Sequence, residues 1–548
     1  MLSGTPLAQA DEPNAPAQGP TLIFNVQGFS MLDGKRQRFV ALEYADGKVT
    51  AVYRDAAERG TSKATRLIDG GGATLLPGLI DAHGHVEAYG RCLTSINLVG
   101  VQSEEEALER IAARVASEDS NDWLLGGGWN QVFWSTQAFP TREGLDSITG
   151  GRPAQFFRID GHASWVNSAA LAIAGIDKDT PDPAGGQILR DSRGQPTGVL
   201  IDNAMGLVSE QIPPDADEAR QAHIENALTA LAAKGLTQVH DADVDAGAIA
   251  AYDALHRAGR LPIRSYVMLS VLDPENDKHL KNGPRSTEDG KLVVASVKIS
   301  ADGALGSRGA ALHKDYSDKP GHRGLLLLSD EELRHHMRRS SEAGFQVNVH
   351  AIGDLANTRV LDEFERINSN KRARAQRHRV EHAQILLPAD IRRFADLDVI
   401  ASVQPTHATS DKNMAGDRLG EERLRGAYAW QTLFESGARL AGGSDFPVEP
   451  PDPFFGLHAA VTRRDRDGEP PGGWRVGEAL SRDQALALFT EDAAYAAGME
   501  GRIGRLLPGY DADFILVEEN FFTASREDLW KNKIIATVVA GELVYGEL

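Results

Sequence analysis

The sequence predicts an α/β protein: a (β/α)8 TIM barrel with a large lid insertion after its first strand, plus a small β-sandwich built from both termini. Three observations carry this prediction. Eight apolar strand-like runs alternate with helical stretches through the middle of the chain, one gap between them is too long for a single crossover, and both ends are rich in short turn-separated strands. At 548 residues the chain exceeds one ordinary core and accommodates a barrel with an accessory domain. The expected division is a leader at 1–20, the sandwich from 21–74 with 500–548, and the barrel at 75–499 with its insertion at about 100–234.

Residues 1–20 are rich in Ala, Pro, Gln and Gly. Pro6-Leu7-Ala8-Gln9-Ala10 before Asp11-Glu12 resembles the small-residue end of a secretory signal, without the charged and apolar regions that precede one. A signal remnant implies a periplasmic or secreted protein, a plain flexible leader a cytoplasmic one. Between 21 and 74 short alternating runs are broken by turns, and Asp46-Gly47 between two of them signals a hairpin. The turn-separated runs at 504–517 and 534–545 supply the other half of the sandwich.

Barrel strands are expected at 74–85, 235–241, 262–270, 292–300, 346–350, 379–383, 399–404 and 438–445, the eight that close such a barrel. Helices fit between them, for example at 331–343 and 389–397. The long gap holds a helix at 104–117, the segment Gly126-Gly127-Gly128-Trp129-Asn130, a polar run at 158–167, a Gly-rich stretch at 185–198 and a helix from about 215 to 234. Because βα loops open on the catalytic face of a barrel, this insertion is expected to fold over the mouth.

Lys plus Arg number 58 and Asp plus Glu 78, a formal charge of −20. That balance argues against a nucleic-acid or anionic-membrane partner, since both require a basic face. No run approaches the roughly 18–20 apolar residues of a membrane span. Cys92 is the one cysteine, so an intrachain disulfide and a cysteine-based zinc site are excluded.

In a parallel barrel the carboxyl ends of different strands converge on one mouth. The first strand ends Leu76-Pro77-Gly78-Leu79-Ile80-Asp81-Ala82-His83-Gly84-His85, and side chains at i and i+2 share a face, so His83 and His85 project together. The fourth strand contributes Lys298, the fifth His350, the sixth His382 and the eighth Asp445. Each alone has a plainer reading. The His pair can be solvated, Lys298 can pair with Asp302, His350 and His382 can be satisfied core histidines, and Asp445 can cap a turn. Together, four histidines, a lysine and an aspartate at successive strand ends read as a metal site.

These residues resemble the amidohydrolase superfamily of metal-dependent hydrolases, and Gly509-Tyr510-Asp511-Ala512-Asp513-Phe514 is similar to that family's return into its β-sandwich. Trp129-Asn130, Asp160-Gly161-His162-Ala163 with Asn167, Asp302-Gly303-Ala304-Leu305-Gly306-Ser307-Arg308, His350-Ala351-Ile352-Gly353-Asp354 and Ser444-Asp445-Phe446-Pro447-Val448 look like its amidohydrolase-3 branch, which includes N-substituted formamide deformylases. The resemblance implies a binuclear centre of two divalent metal ions, usually zinc. His83, His85 and Asp445 would hold the more buried ion, His350 and His382 the more exposed one, and carboxylated Lys298 would bridge them. An ammonium is a poor ligand at pH 7, whereas a carbamate offers two anionic oxygens.

The implied chemistry is hydrolysis of a non-peptide C–N bond in a small-molecule amide, such as an N-formyl or N-acyl amide, by metal-activated hydroxide with Asp445 as proton shuttle. Trp129, His162, Trp165, Arg308 and His407 are the candidate substrate contacts. For the two tryptophans lid-core packing is the competing reading, and for Arg308 an ion pair with a carboxylate. The rival functions are a mononuclear deaminase on the same barrel and a catalytically silent binding protein. A homo-oligomer stays open.

Overall fold

The computed structural model describes residues 19–117, 121–159, 161, 163–183 and 185–548. Most of the leader expected at 1–20 lies outside the described residues, as does His162. The chain forms two compact units, one of residues 1–85 with 228–548 and the other of residues 86–227.

The first unit carries a nearly closed barrel of eight parallel strands: β1 (Leu79–Gly84), β2 (Leu236–Val244), β3 (Arg264–Ser270), β4 (Leu292–Ser300), β5 (Gln346–Ala351), β6 (Arg379–His382), β7 (Ile400–Val403) and β8 (Leu440–Gly442). They pair in chain order, each with the next. The strands are near-continuous runs of Val, Ile, Leu and Ala, as a sheet buried on both faces requires. The last strand meets the first through a short bridge, Gly84 opposite Phe446. Asp445 N–H donates to the His83 carbonyl at 2.7 Å and His85 N–H to the Phe446 carbonyl at 2.8 Å. Closure therefore runs through the segment that carries the expected site residues. It also explains two glycines: a Cβ on Gly84 would stand 2.1 Å from the Phe446 ring, and one on Gly443 2.6 Å from the His83 nitrogen. Between strands the expected helices form at Asp330–Glu342 and Pro388–Leu397.

Both termini build one eight-stranded sheet, with Thr74–Pro77 and Thr21–Leu32 at its centre and Phe514–Val517, Ile534–Val539 and Glu542–Gly546 extending it on one side. Hydrogen bonding runs through it as a single sheet, with a register shift between Phe24 and Gly28. The Asp46-Gly47 hairpin is present, both residues at positive φ (49° and 74°). That geometry suits a two-residue turn between twisted strands.

The Asp511-Ala512-Asp513 motif anchors this sheet to the barrel. Arg264, fully buried at the start of β3, bonds Asp513 at 2.7 Å and Asp511 at 2.8 Å. Removing one member of a buried pair strands the other charge in a low-dielectric interior. Asp513→Ala is expected to cost about 3 kcal/mol, the low end of the usual range because Asp511 remains. Chemical denaturation monitored by circular dichroism checks this.

The second unit is a six-stranded mixed sheet in the order Gly186–Arg190, Pro196–Asp202, Ala163–Val166, Ala154–Arg158, Leu124–Trp129, Ile96–Asn97. The expected helix at Glu104–Ser117 buries Ala107 and Ile111, one turn apart, in the core below it. The unit begins at Val86, ahead of the expected boundary near 100, because helix Val86–Thr94 packs on helix Asp217–Ala232. A Cβ on Gly90 would lie 2.0 Å from the His223 carbonyl oxygen. Among the described residues no helix is long and apolar enough to cross a membrane.

Candidate metal centre

The site grows from the end of β1, where Asp81, His83 and His85 alternate onto one face. His83 is fully buried, and its Nδ1 lies 2.5 Å from the Glu381 carboxylate. A carboxylate only accepts, so the proton sits on Nδ1 and Nε2 presents a lone pair. His85 repeats the arrangement: Nδ1 donates to the Ala242 carbonyl at 3.1 Å. His382 does so a third time, its Nδ1 2.8 Å from Gln404 Oε1. In each ring one nitrogen is spent on orientation and the other is turned toward the strand ends, the pattern of metal-ligating histidines.

Asp445 faces these nitrogens. Its Oδ1 lies 3.2 Å from His85 Nε2 and 3.6 Å from His83 Nε2, and its Oδ2 3.7 Å from His407 Nε2. With its Nδ1 donating to Glu381, neutral His83 turns an Nε2 lone pair toward a carboxylate oxygen, which is repulsive unless a cation stands between them. Burial drives the same conclusion. It pushes the His83 imidazole down to about 4 and that of His382 well below its ordinary value, so both are neutral at pH 7. The Nε2 atoms of His83, His350 and His407 are buried without a hydrogen-bond partner. Buried and unpartnered, these nitrogens fit a divalent metal ion.

Two groups of ligand atoms each lie within 4.8 Å of one another: His83, His85 and Asp445, and His382, His407 and Asp445. His350 stands beside them, its ring centroid 4.5 Å from that of His382 and its Nε2 3.5 Å from Asp302 Oδ1. Lys298 is 4% exposed, and its side chain makes no hydrogen bond or ion pair among the described residues. Its expected competitor role is absent, because Asp302 is occupied by backbone: it accepts from Ala311, Ile352 and Gly353 N–H at 2.8–2.9 Å.

The supporting shell was the part that inspection of strand ends missed. Glu381 is buried between His83 and Arg379, whose guanidinium donates to it at 2.9 Å and also reaches His240, Ser402 and the Ala82 carbonyl. Burial alone would raise the Glu381 carboxyl, but Arg379 and His83 hold it well below the usual carboxylate range. The signal was present: Arg379 and Glu381 alternate in a strand that is otherwise core. Asp81 accepts from Ser444 O–H at 2.6 Å and from two backbone amides, and burial pushes its carboxyl up to about 7. His382 and Asp445 both hold positive φ (74° and 61°), a strained backbone that clusters at functional sites.

Three expected substrate contacts have local partners of their own. Trp129 and Trp165 are wholly buried in the second unit's core, their indole N–H groups donating to the carbonyls of Phe156 and Thr141. With no exposed ring face and no free donor, they are packing residues. Arg308 forms a two-point ion pair with Asp318, at 2.8 and 3.1 Å, within its own loop. His407, by contrast, sits in the centre, its ring stacked 5.9 Å from that of His382.

A parallel barrel with oriented, neutral imidazoles around one aspartate at its strand ends defines a metal-dependent hydrolase. The chain belongs to the amidohydrolase family, whose profile matches residues 66–545, and it is a hydrolase of carbon–nitrogen bonds other than peptide bonds. It is 35% identical to YtcJ of Bacillus subtilis over 94% of this chain and 98% of that protein. It is 27% identical to an N-substituted formamide deformylase of Arthrobacter pascens over 94% of this chain and 96% of that one. Among solved structures it resembles an uncharacterized metal-dependent hydrolase from Pyrococcus furiosus, with a TM-score of 0.77 and 27% identity, covering 92% of this chain and all of that one.

Proposed function

We propose that this amidohydrolase cleaves small-molecule N-formyl or N-acyl amides at a centre of two divalent ions. The observation that carries the proposal is the convergence of the His83 and His85 Nε2 atoms on the Asp445 carboxylate, at 3.6 and 3.2 Å. His83, His85 and Asp445 would hold one ion, His350 and His382 the other, and Lys298 would bridge them as its carbamate. The similarity to an N-substituted formamide deformylase supports the substrate class. When bound, such ions supply an activated water and a polarised substrate carbonyl.

The chain's own residues do the rest. Asp445 takes the proton of the attacking water and passes it to the departing nitrogen, so that an amine leaves rather than an amide anion. The residues behind the ligands keep geometry fixed: Glu381, Gln404 and the Ala242 carbonyl lock three imidazoles, and Asp81 ties the β8 turn to β1 through Ser444. His407 adds a ring nitrogen 3.7 Å from Asp445 Oδ2. A one-ion, deaminase-like reading draws on the two tight ligand groups sharing Asp445 and omitting Lys298. Metal stoichiometry separates the two.

Chelator-treated protein is expected to lose turnover on a panel of N-formyl and N-acyl amines and to regain it on adding zinc. A metal-depleted protein that retains its rate, or a zinc-loaded one that cleaves no amide in the panel, would overturn the proposal.

A further inference from the structure

Arg463 ends helix Pro453–Thr462, which follows β8, and its side chain is fully buried. Its guanidinium stacks on the Trp430 ring at 4.1 Å and lies 5.5 Å from the centre of the Trp474 ring. Nε donates to the Trp474 carbonyl at 3.0 Å and Nη1 to the Tyr428 carbonyl at 3.3 Å. Nη2 carries two further N–H groups, yet it is buried and has no hydrogen-bond partner. Arg475, the residue after the carbonyl that Arg463 grips, repeats the pattern. Its Nη2 donates to the Arg425 carbonyl at 3.2 Å, while its Nε is buried without a partner. Buried donors are almost always satisfied, so two orphaned ones on neighbouring guanidiniums require an acceptor that the chain does not supply.

Charge decides the kind of acceptor. A guanidinium keeps its proton near neutrality, and a buried charge is ordinarily met by a counter-charge. Among the described residues neither arginine forms an ion pair. Glu478 is the buried carboxylate whose field reaches both, but its oxygens accept from Thr432, from N–H at 3.0 Å and from O–H at 2.7 Å. Glu421, which acts on Arg475, is exposed and screened by solvent. Burial and the Arg475 charge push Arg463 down to about 9, so it remains a cation at pH 7. Two cations against one buried carboxylate leave one positive charge over. A water molecule would occupy the donors and leave that charge in place. We infer that Arg463 Nη2 and Arg475 Nε together bind a small monovalent anion, a halide or a carboxylate of the size of formate. The anion ties the end of helix Pro453–Thr462 to Arg475 and so closes the excursion between them. That excursion also carries Asp465, which pairs at 2.8 Å with Lys412, the residue after the helix Pro405–Asp411 that bears His407. The anion is a structural ligand of the scaffold beside the centre and takes no part in the chemistry.

The test uses the full chain as purified, exchanged into sodium gluconate, whose anion is too bulky for a buried site. Sodium chloride, bromide or formate replaces gluconate at constant ionic strength, and circular dichroism follows thermal unfolding. A saturable rise in the midpoint is expected. A response to chloride and bromide identifies a halide, and one confined to formate identifies a carboxylate. Arg463→Met keeps the apolar contact with the two rings and is expected to abolish the saturable rise. Arg475→Gln is expected to raise the half-saturating concentration roughly 10-fold, and it decides the question should the methionine variant fail to fold. Crystals grown in the stabilising anion are expected to show it within hydrogen-bond distance of both orphaned nitrogens. Midpoints indifferent to all three anions, folded variants that respond as wild type does, or water alone beside Arg463 Nη2 would overturn the inference.

Discussion

Asp445→Asn is expected to abolish nearly all turnover while leaving the fold intact. The carboxylate faces His83, His85 and His407 at 3.2–3.7 Å, so its removal affects a group shared by every part of the centre. Burial by itself raises its pKa, but the imidazoles grouped around it, His85 first among them, hold it well below the usual carboxylate range. It is therefore an anion at neutral pH, able to accept a proton transiently and return it. An asparagine keeps the shape and loses the basicity. Proton transfer alone accounts for a loss of roughly 100- to 10,000-fold in kcat, to which weaker metal retention adds. The amide side chain can still accept at Oδ1 and its backbone N–H still donates to the His83 carbonyl, so the far-ultraviolet spectrum and denaturation midpoint should stay close to wild type. A wild-type rate in Asp445→Asn would refute the proton-shuttle role.

The second large effect belongs to a residue that touches no substrate. Glu381→Gln should destabilise the chain by about 3–5 kcal/mol, because Arg379 would remain charged in the barrel interior without its counter-ion. Both partners are 0% exposed, so solvent gives no relief. The same change weakens the carboxylate hold on His83 Nδ1, which fixes its tautomer and raises its basicity as a ligand, and should lower metal affinity roughly 10- to 100-fold. Denaturant titration and competitive zinc binding read the two effects separately. An unchanged midpoint together with unchanged affinity would show that the Arg379–Glu381–His83 chain is incidental.

The barrel was legible because parallel strands buried on both faces leave unbroken apolar runs that no surface element imitates. All eight appear at those runs, but their ends shift: Thr74–Pro77 pairs into the terminal sheet, so the first barrel strand begins only at Leu79, and β2 runs on to Val244. β8 stops at Gly442, three residues before the expected end, as the backbone turns into the strained segment that presents Asp445. The convergence of His83, His85, His382 and Asp445 was legible too, since fold topology brings strand ends together whatever lies between them. Orientation was not. That Glu381 grips His83 from across the barrel, or that Gln404 grips His382 from the next strand, depends on side-chain geometry between strands remote in sequence. Trp129 and Trp165 show the opposite limit: a glycine- and tryptophan-rich segment resembles a ligand surface in sequence, yet its indoles fill a local core because the second unit must bury its own sheet.

The central claim is that these strand ends hold metal. Crystals grown with zinc and measured by anomalous diffraction across the zinc edge test it most directly. The account predicts two anomalous peaks at the mouth of the barrel, one within coordination distance of His83 Nε2, His85 Nε2 and Asp445, with continuous density extending the Lys298 amine toward both. Crystals of zinc-equilibrated protein with no peak beside His83 and His85, and those nitrogens hydrogen-bonded to water or protein instead, would contradict it.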